Sequence, residues 1–174
     1  MNTRKLTVGG LLIAISILLP YVFHLMGFPQ IGQMLLPMHL PVLLSGFILG
    51  PIFGLLLGAA APLLNSLITN MPPVHLLPFM VPELAGYGFA AGLLFKILGN
   101  KKYGIIISLV VAMIFGRLVY AAAILVVTNL LHVSDLGLIA VVNATVKGIY
   151  GIIAQLIIIP PLIYALRKSK RFDI

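Results

Sequence analysis

Glu83, Arg117 and Lys147 each lie inside a long apolar stretch of this 174-residue chain. If those stretches cross a bilayer, each charge costs about 2.5–3.5 kcal/mol on insertion scales and needs a partner or a wet cavity. Glu83 and Arg117 can tie two helices together as an ion pair. Lys147 is then left without a carboxylate, and must either lose its proton or meet an anion that arrives from solution. The chemistry this implies is binding, with a carboxylate-bearing small molecule as ligand. Hydrogen-bonding groups suited to such a ligand accompany the three charges: Gln33, His39, Asn65, Asn70, His75, Tyr87, Tyr120 and Asn143. His39 stands between Pro37 and Pro41 at a helix entrance and is assigned to the ligand, whereas His24 and His132 are given no role. The sequon Asn143-Ala144-Thr145 falls inside a span and is discounted.

Catalytic patterns are missing from the sequence. It has no G-x-x-x-x-G-K-[ST] loop, no H-E-x-x-H helix and no G-x-S-x-G elbow. One interior acid cannot supply paired-carboxylate chemistry, and zero cysteines exclude a disulfide framework and a thiolate metal site. We therefore expect no enzyme, no metal and no cofactor, and a chain that does not itself hydrolyse ATP. The net charge of +8 is not a nucleic-acid signature, because it forms no basic helix face and no aromatic-basic interleaving.

The elements that must position these groups are membrane helices. Residues are 61% hydrophobic and 8% charged, and the mean hydropathy is +1.21, too apolar to coat a soluble domain. Of the eleven Lys and Arg, all but Arg117 and Lys147 sit in three clusters: Arg4 and Lys5; Lys96, Lys101 and Lys102; Arg167, Lys168, Lys170 and Arg171. Cytoplasmic loops retain Lys and Arg, so the clusters mark one face. The intervening loops at 27–32, 70–78 and 132–137 contain neither residue. Spans of roughly 20 apolar residues then fall at about 6–26, 33–50, 52–69, 78–98, 103–131 and 138–166. The expected fold is all-α, one domain over 1–174, a six-transmembrane-helix bundle with both termini cytoplasmic. No small-x-small cleavage site follows the first apolar run, which reads as a retained helix. On this topology Glu83, Lys147 and Arg117 lie on the order of 8, 14 and 21 Å from the outer face, and can line one outward-opening cavity.

Gly46, Gly50, Gly54 and Gly58, then Gly88 and Gly92, and the pair Gly148 and Gly151, provide flat faces for close helix approach. Gly10 and Ala14 form a small-xxx-small step on the first helix, able to receive another helix of this chain or a partner.

With these residues in view, the chain resembles the substrate-binding S component of an energy-coupling factor (ECF) vitamin transporter over nearly its whole length. The resemblance rests on six short helices behind a basic leader, and on Leu36-Pro37-Met38-His39-Leu40-Pro41-Val42-Leu43-Leu44 running into Gly46. It rests also on Asn70-Met71-Pro72-Pro73, Pro82-Glu83-Leu84-Ala85-Gly86-Tyr87-Gly88 and Gly116-Arg117-Leu118-Val119-Tyr120. It implies a high-affinity vitamin binder in a prokaryotic cytoplasmic membrane. Such a binder docks on one transmembrane coupling protein and two ATPases, and topples in the bilayer to release its ligand inside. The family's Ala-xxx-Ala docking step corresponds here to Gly10 and Ala14. The positive excess of the cavity points to pantothenate, and members for pantothenate or B6 vitamers look closest. Alternatives are a B6 vitamer such as pyridoxine, another vitamin such as nicotinate or folate, or a proton-coupled secondary transporter that uses Glu83 as carrier. The single interior acid and the lack of a detectable inverted repeat stand against the last.

Overall fold

Backbone polar groups that cannot bond to water must bond within their own segment, so long apolar runs fold as helices. The computed structural model describes residues 3–99, 101, 103–131 and 138–169. Every regular element among them is helical: α1 (Thr3–Leu25), α2 (Pro29–Leu35), α3 (His39–Leu49), α4 (Pro51–Thr69), a 3-10 turn at Val74–Leu76, α5 (Leu77–Leu98), α6 (Gly104–Leu131), α7 (Leu138–Lys147) and α8 (Ile149–Lys168). Asn100, Lys102, the loop 132–137, Lys170 and Arg171 lie outside the described residues.

Five segments are long and apolar enough to cross a membrane: Thr3–Leu25, Pro51–Thr69, Val74–Leu98, Gly104–Asn129 and Ile149–Lys168. The expected second span, 33–50, is not one helix. Leu36 takes a left-handed conformation, φ 48° and ψ 49°, and separates α2 from α3. Pro37 contributes to the break, since it disfavours the right-handed helical region for the preceding residue and cannot donate to the ladder. What remains, α3, has 11 residues, about 16 Å of helix against a hydrocarbon core of roughly 30 Å. The expected sixth span is likewise interrupted, with Gly148 at φ −83° and ψ 3° between α7 and α8. The two breaks meet. Gln155 Nε2 donates to the Leu36 carbonyl at 3.4 Å, and a Cβ added at Gly148 would lie 2.7 Å from Leu36 Cδ1.

In lipid the hydrophobic effect does not press helices together, so close packing has to. Gly46, Gly54, Gly58, Gly88 and Gly92 supply it, bringing α3, α4 and α5 into backbone contact. A Cβ on Gly88 would fall on the Gly54 carbonyl, and one on Gly58 on the Leu84 carbonyl. Around this block Val42, Leu43, Leu84 and Ala91 are fully buried, while Ile52, Leu67, Ile97 and Leu118 face outward as a lipid-facing surface requires. Gly50, at φ 95°, makes the tight α3–α4 corner possible in a conformation open to glycine. Gly88→Ala is expected to lower the thermal unfolding midpoint of the purified protein, with a cost of about 3 kcal/mol or more, because backbone rather than a flexible side chain must move. An unchanged midpoint would show that α4 and α5 do not approach this closely.

Two polar ties close the frame. Asn65 is fully buried and donates Nδ2 to the Ser16 carbonyl of α1 at 3.1 Å. Arg167 Nη1 of α8 donates to the Gly99 carbonyl beyond α5 at 2.7 Å, with its guanidinium 5.6 Å from the Phe95 ring.

Candidate ligand-binding cavity

At the end of the bundle opposite the Arg167–Gly99 contact lies a cavity of about 540 Å³. Its wall comes from the C-terminal part of α1 (Pro20, Phe23, His24), the α2–α3 break (Leu36, Pro37, Met38), the 71–73 loop, the first turns of α5 (Phe79, Met80, Glu83), α6 (Arg117, Tyr120) and α7 (Asn143, Ala144, Lys147). His39, the first residue of α3, completes it.

Glu83 is 3% exposed, and its Oε1 lies 2.9 Å from Arg117 Nη1. The expected pair therefore forms, between α5 and α6. The Arg117 guanidinium also stands 5.9 Å from the centre of the Tyr120 ring. Among the described residues, Arg117 Nε and Nη2 are buried without a hydrogen-bond partner, as are both ring nitrogens of His39. His39 is 4% exposed, its ring packs edge-on against Tyr87 with centroids 5.2 Å apart, and its Nε2 is 3.9 Å from Glu83 Oε1. A buried donor or acceptor without a partner costs about 1–3 kcal/mol, which makes His39 and Arg117 candidates for contact with a bound molecule. Lys147 ends α7 and is exposed on the cavity wall.

Of the residues expected from sequence, His39, Glu83, Arg117, Tyr120, Asn143 and Lys147 share this wall. Asn65, Asn70, His75 and Tyr87 do not. Asn65 is used up as the α1–α4 tie, and also accepts from Thr69 Oγ1 at 3.1 Å. Asn70 is exposed at the C-terminal cap of α4 with φ 57°, a left-handed position that asparagine tolerates. His75 is exposed in the 3-10 turn. Tyr87 is buried one helical turn beyond Glu83 and packs against His39 and Gly116. The side chain of Gln33 lies outside the described residues. His24, which was given no role, is on the wall. The apolar lining of Phe23, Met38, Met71, Leu76, Phe79 and Met80 was missed, since nothing in their type separates them from lipid-facing residues. No group of three His, Cys, Asp or Glu that could hold a metal occurs among the described residues.

Apolar helices around a cavity that holds an internal ion pair are the arrangement of a membrane protein that receives a small polar molecule. A family model described as ECF transporter, substrate-specific component, matches residues 4–163, and the chain belongs to that family. It is a multi-pass membrane protein, the substrate-binding part of a transporter rather than an enzyme, and it associates with other ECF transporter components. Searches of curated proteins and of solved structures gave no match.

Proposed function

We propose that this chain is the vitamin-binding subunit of an ATP-driven ECF importer in a prokaryotic cytoplasmic membrane, with pantothenate as its ligand. The partners are a transmembrane coupling protein and two ATPases, which hydrolyse the ATP. The observation that carries the ligand reading is the balance of the cavity: Glu83 neutralises one cation, while Arg117 Nε and Nη2 are buried without a hydrogen-bond partner among the described residues and Lys147 adds a second positive charge. A ligand carboxylate would pair with these cations while Phe23, Met38, Phe79 and Met80 give the wall its apolar part, and 540 Å³ is within the range of roughly 300–1,000 Å³ usual for small-molecule sites.

The proposed topology keeps six crossings. Counting α2–α3 as one crossing and α7–α8 as another gives six crossings with both termini cytoplasmic. Arg167 reaching Gly99 supports this, because it sets the basic end of α8 beside the basic end of α5, away from the cavity.

The test is calorimetric titration with pantothenate and with its uncharged alcohol, pantothenol. Wild type should prefer the acid, and Lys147→Ala should reduce that preference by about ten-fold, the lower end for a charge-assisted bond because Lys147 is exposed to solvent. Equal binding of acid and alcohol by wild type would remove the carboxylate reading and make a neutral B6 vitamer such as pyridoxine the better candidate.

A further inference from the structure

Among the described residues, His39 lines the cavity with neither ring nitrogen hydrogen-bonded. A neutral imidazole has one donor and one acceptor, and among the described residues neither ring nitrogen has a partner although the residue is almost fully enclosed. Glu83 Oε1 lies 3.9 Å from its Nε2, beyond hydrogen-bond reach. That separation suits a single bridging oxygen: two bonds of about 2.8 Å span it with an angle of roughly 90° at the bridge.

The neighbours decide what the bridging group can be. A second carboxylate would face the charge of Glu83. An ammonium would sit against the Arg117 guanidinium, itself 2.9 Å from the same Glu83 oxygen. A carbonyl could not donate to Glu83, and an amide N–H could not accept from the imidazole. A hydroxyl does both. We propose that a ligand hydroxyl inserts between His39 Nε2 and Glu83 Oε1, both closed off without it, donating to Glu83 Oε1 and accepting from His39 Nε2–H, so that His39 selects alcohol-bearing ligands. With the acid group held near Arg117 and Lys147, the site takes a hydroxy acid rather than a simple carboxylate. This rests on the vitamin-binding reading above and adds a second ligand group, read beside the Glu83–Arg117 pair.

The experiment is a ligand-by-variant cycle by calorimetry on purified chain in nanodiscs. The probes are pantothenate and two analogues, each with one of its hydroxyls replaced by hydrogen. One deoxy analogue should bind wild type about ten-fold or more weaker than the parent. In His39→Ala that penalty should shrink to about two-fold or less, and His39→Gln, which keeps a side-chain N–H, should restore part of it. Equal binding of the parent and both analogues by wild type would mean that water fills the gap, and would overturn the proposal without recourse to any variant. A penalty of the same size in His39→Ala would overturn it too. If pantothenate fails to bind but pyridoxine binds, the hydroxy-acid reading falls with the choice of vitamin, and the hydroxyl contact is decided by the same cycle with pyridoxine and deoxypyridoxine. Binding of neither would remove the proposed function and this inference together.

Discussion

Arg117→Ala is expected to weaken ligand binding by about a hundred-fold or more and to lower the thermal unfolding midpoint as well. Removing the guanidinium leaves Glu83, 3% exposed, as an uncompensated buried carboxylate, a loss of the kind that costs about 3–5 kcal/mol. It also removes Nε and Nη2, the buried and unpartnered nitrogens that the proposed binding mode uses. The double variant Glu83→Gln with Arg117→Met separates the two effects. With the buried charge gone, the midpoint should recover toward wild type, yet affinity for the acid should stay low. Recovery of both stability and affinity would mean that the pair only ties α5 to α6, and that the anion is held elsewhere.

Purified chain in liposomes should bind pantothenate and fail to accumulate it, with ATP or with an imposed proton gradient, until the coupling protein and two ATPases are added. The expected effect is all or none, since the sequence holds no phosphate-binding loop. Gly10→Leu should then retain ligand affinity and lose uptake. Gly10 is exposed, and a Cβ placed there meets nothing within 4 Å, so this chain can accept the larger side chain at no cost to its own packing. Exposed Ala14 lies one turn further along. A flat docking face requires close backbone approach, and normal uptake by an incorporated Gly10→Leu would refute that role. Accumulation by the chain alone under a proton gradient would favour a secondary transporter built on Glu83.

The distribution of Lys and Arg made the helical membrane class legible without any motif. It also made the Glu83–Arg117 pair legible, because two opposite charges in apolar surroundings have few other outcomes. Direction was harder to read. Helices that are apolar on every side carry no periodic stripe to show which face turns inward, so Asn65 in a helix–helix tie and Asn143 on the cavity wall looked equivalent in the sequence. Pro37 signalled a break, but the same residue with Pro41 also fits the start of a continuous helix, and only the backbone at Leu36 separates the two. Gly148 was read as a packing glycine, and its second effect, ending α7, leaves no separate mark in residue type.

One consequence of α1 reaches beyond the cavity. Its Pro20, Phe23 and His24 touch the cavity wall, while Gly10 stands exposed about 15 Å away along the same helix axis. On the proposed reading, ligand at one end and docking partner at the other would act on a single helix, interrupted only by Pro20, which withholds a hydrogen bond within it. Linkage then runs both ways: by whatever factor a bound vitamin changes the affinity for the partner, the partner changes the affinity for the vitamin by the same factor. A subunit that grips its cargo less firmly once docked is thus also one that leaves its partner more readily when it is loaded again.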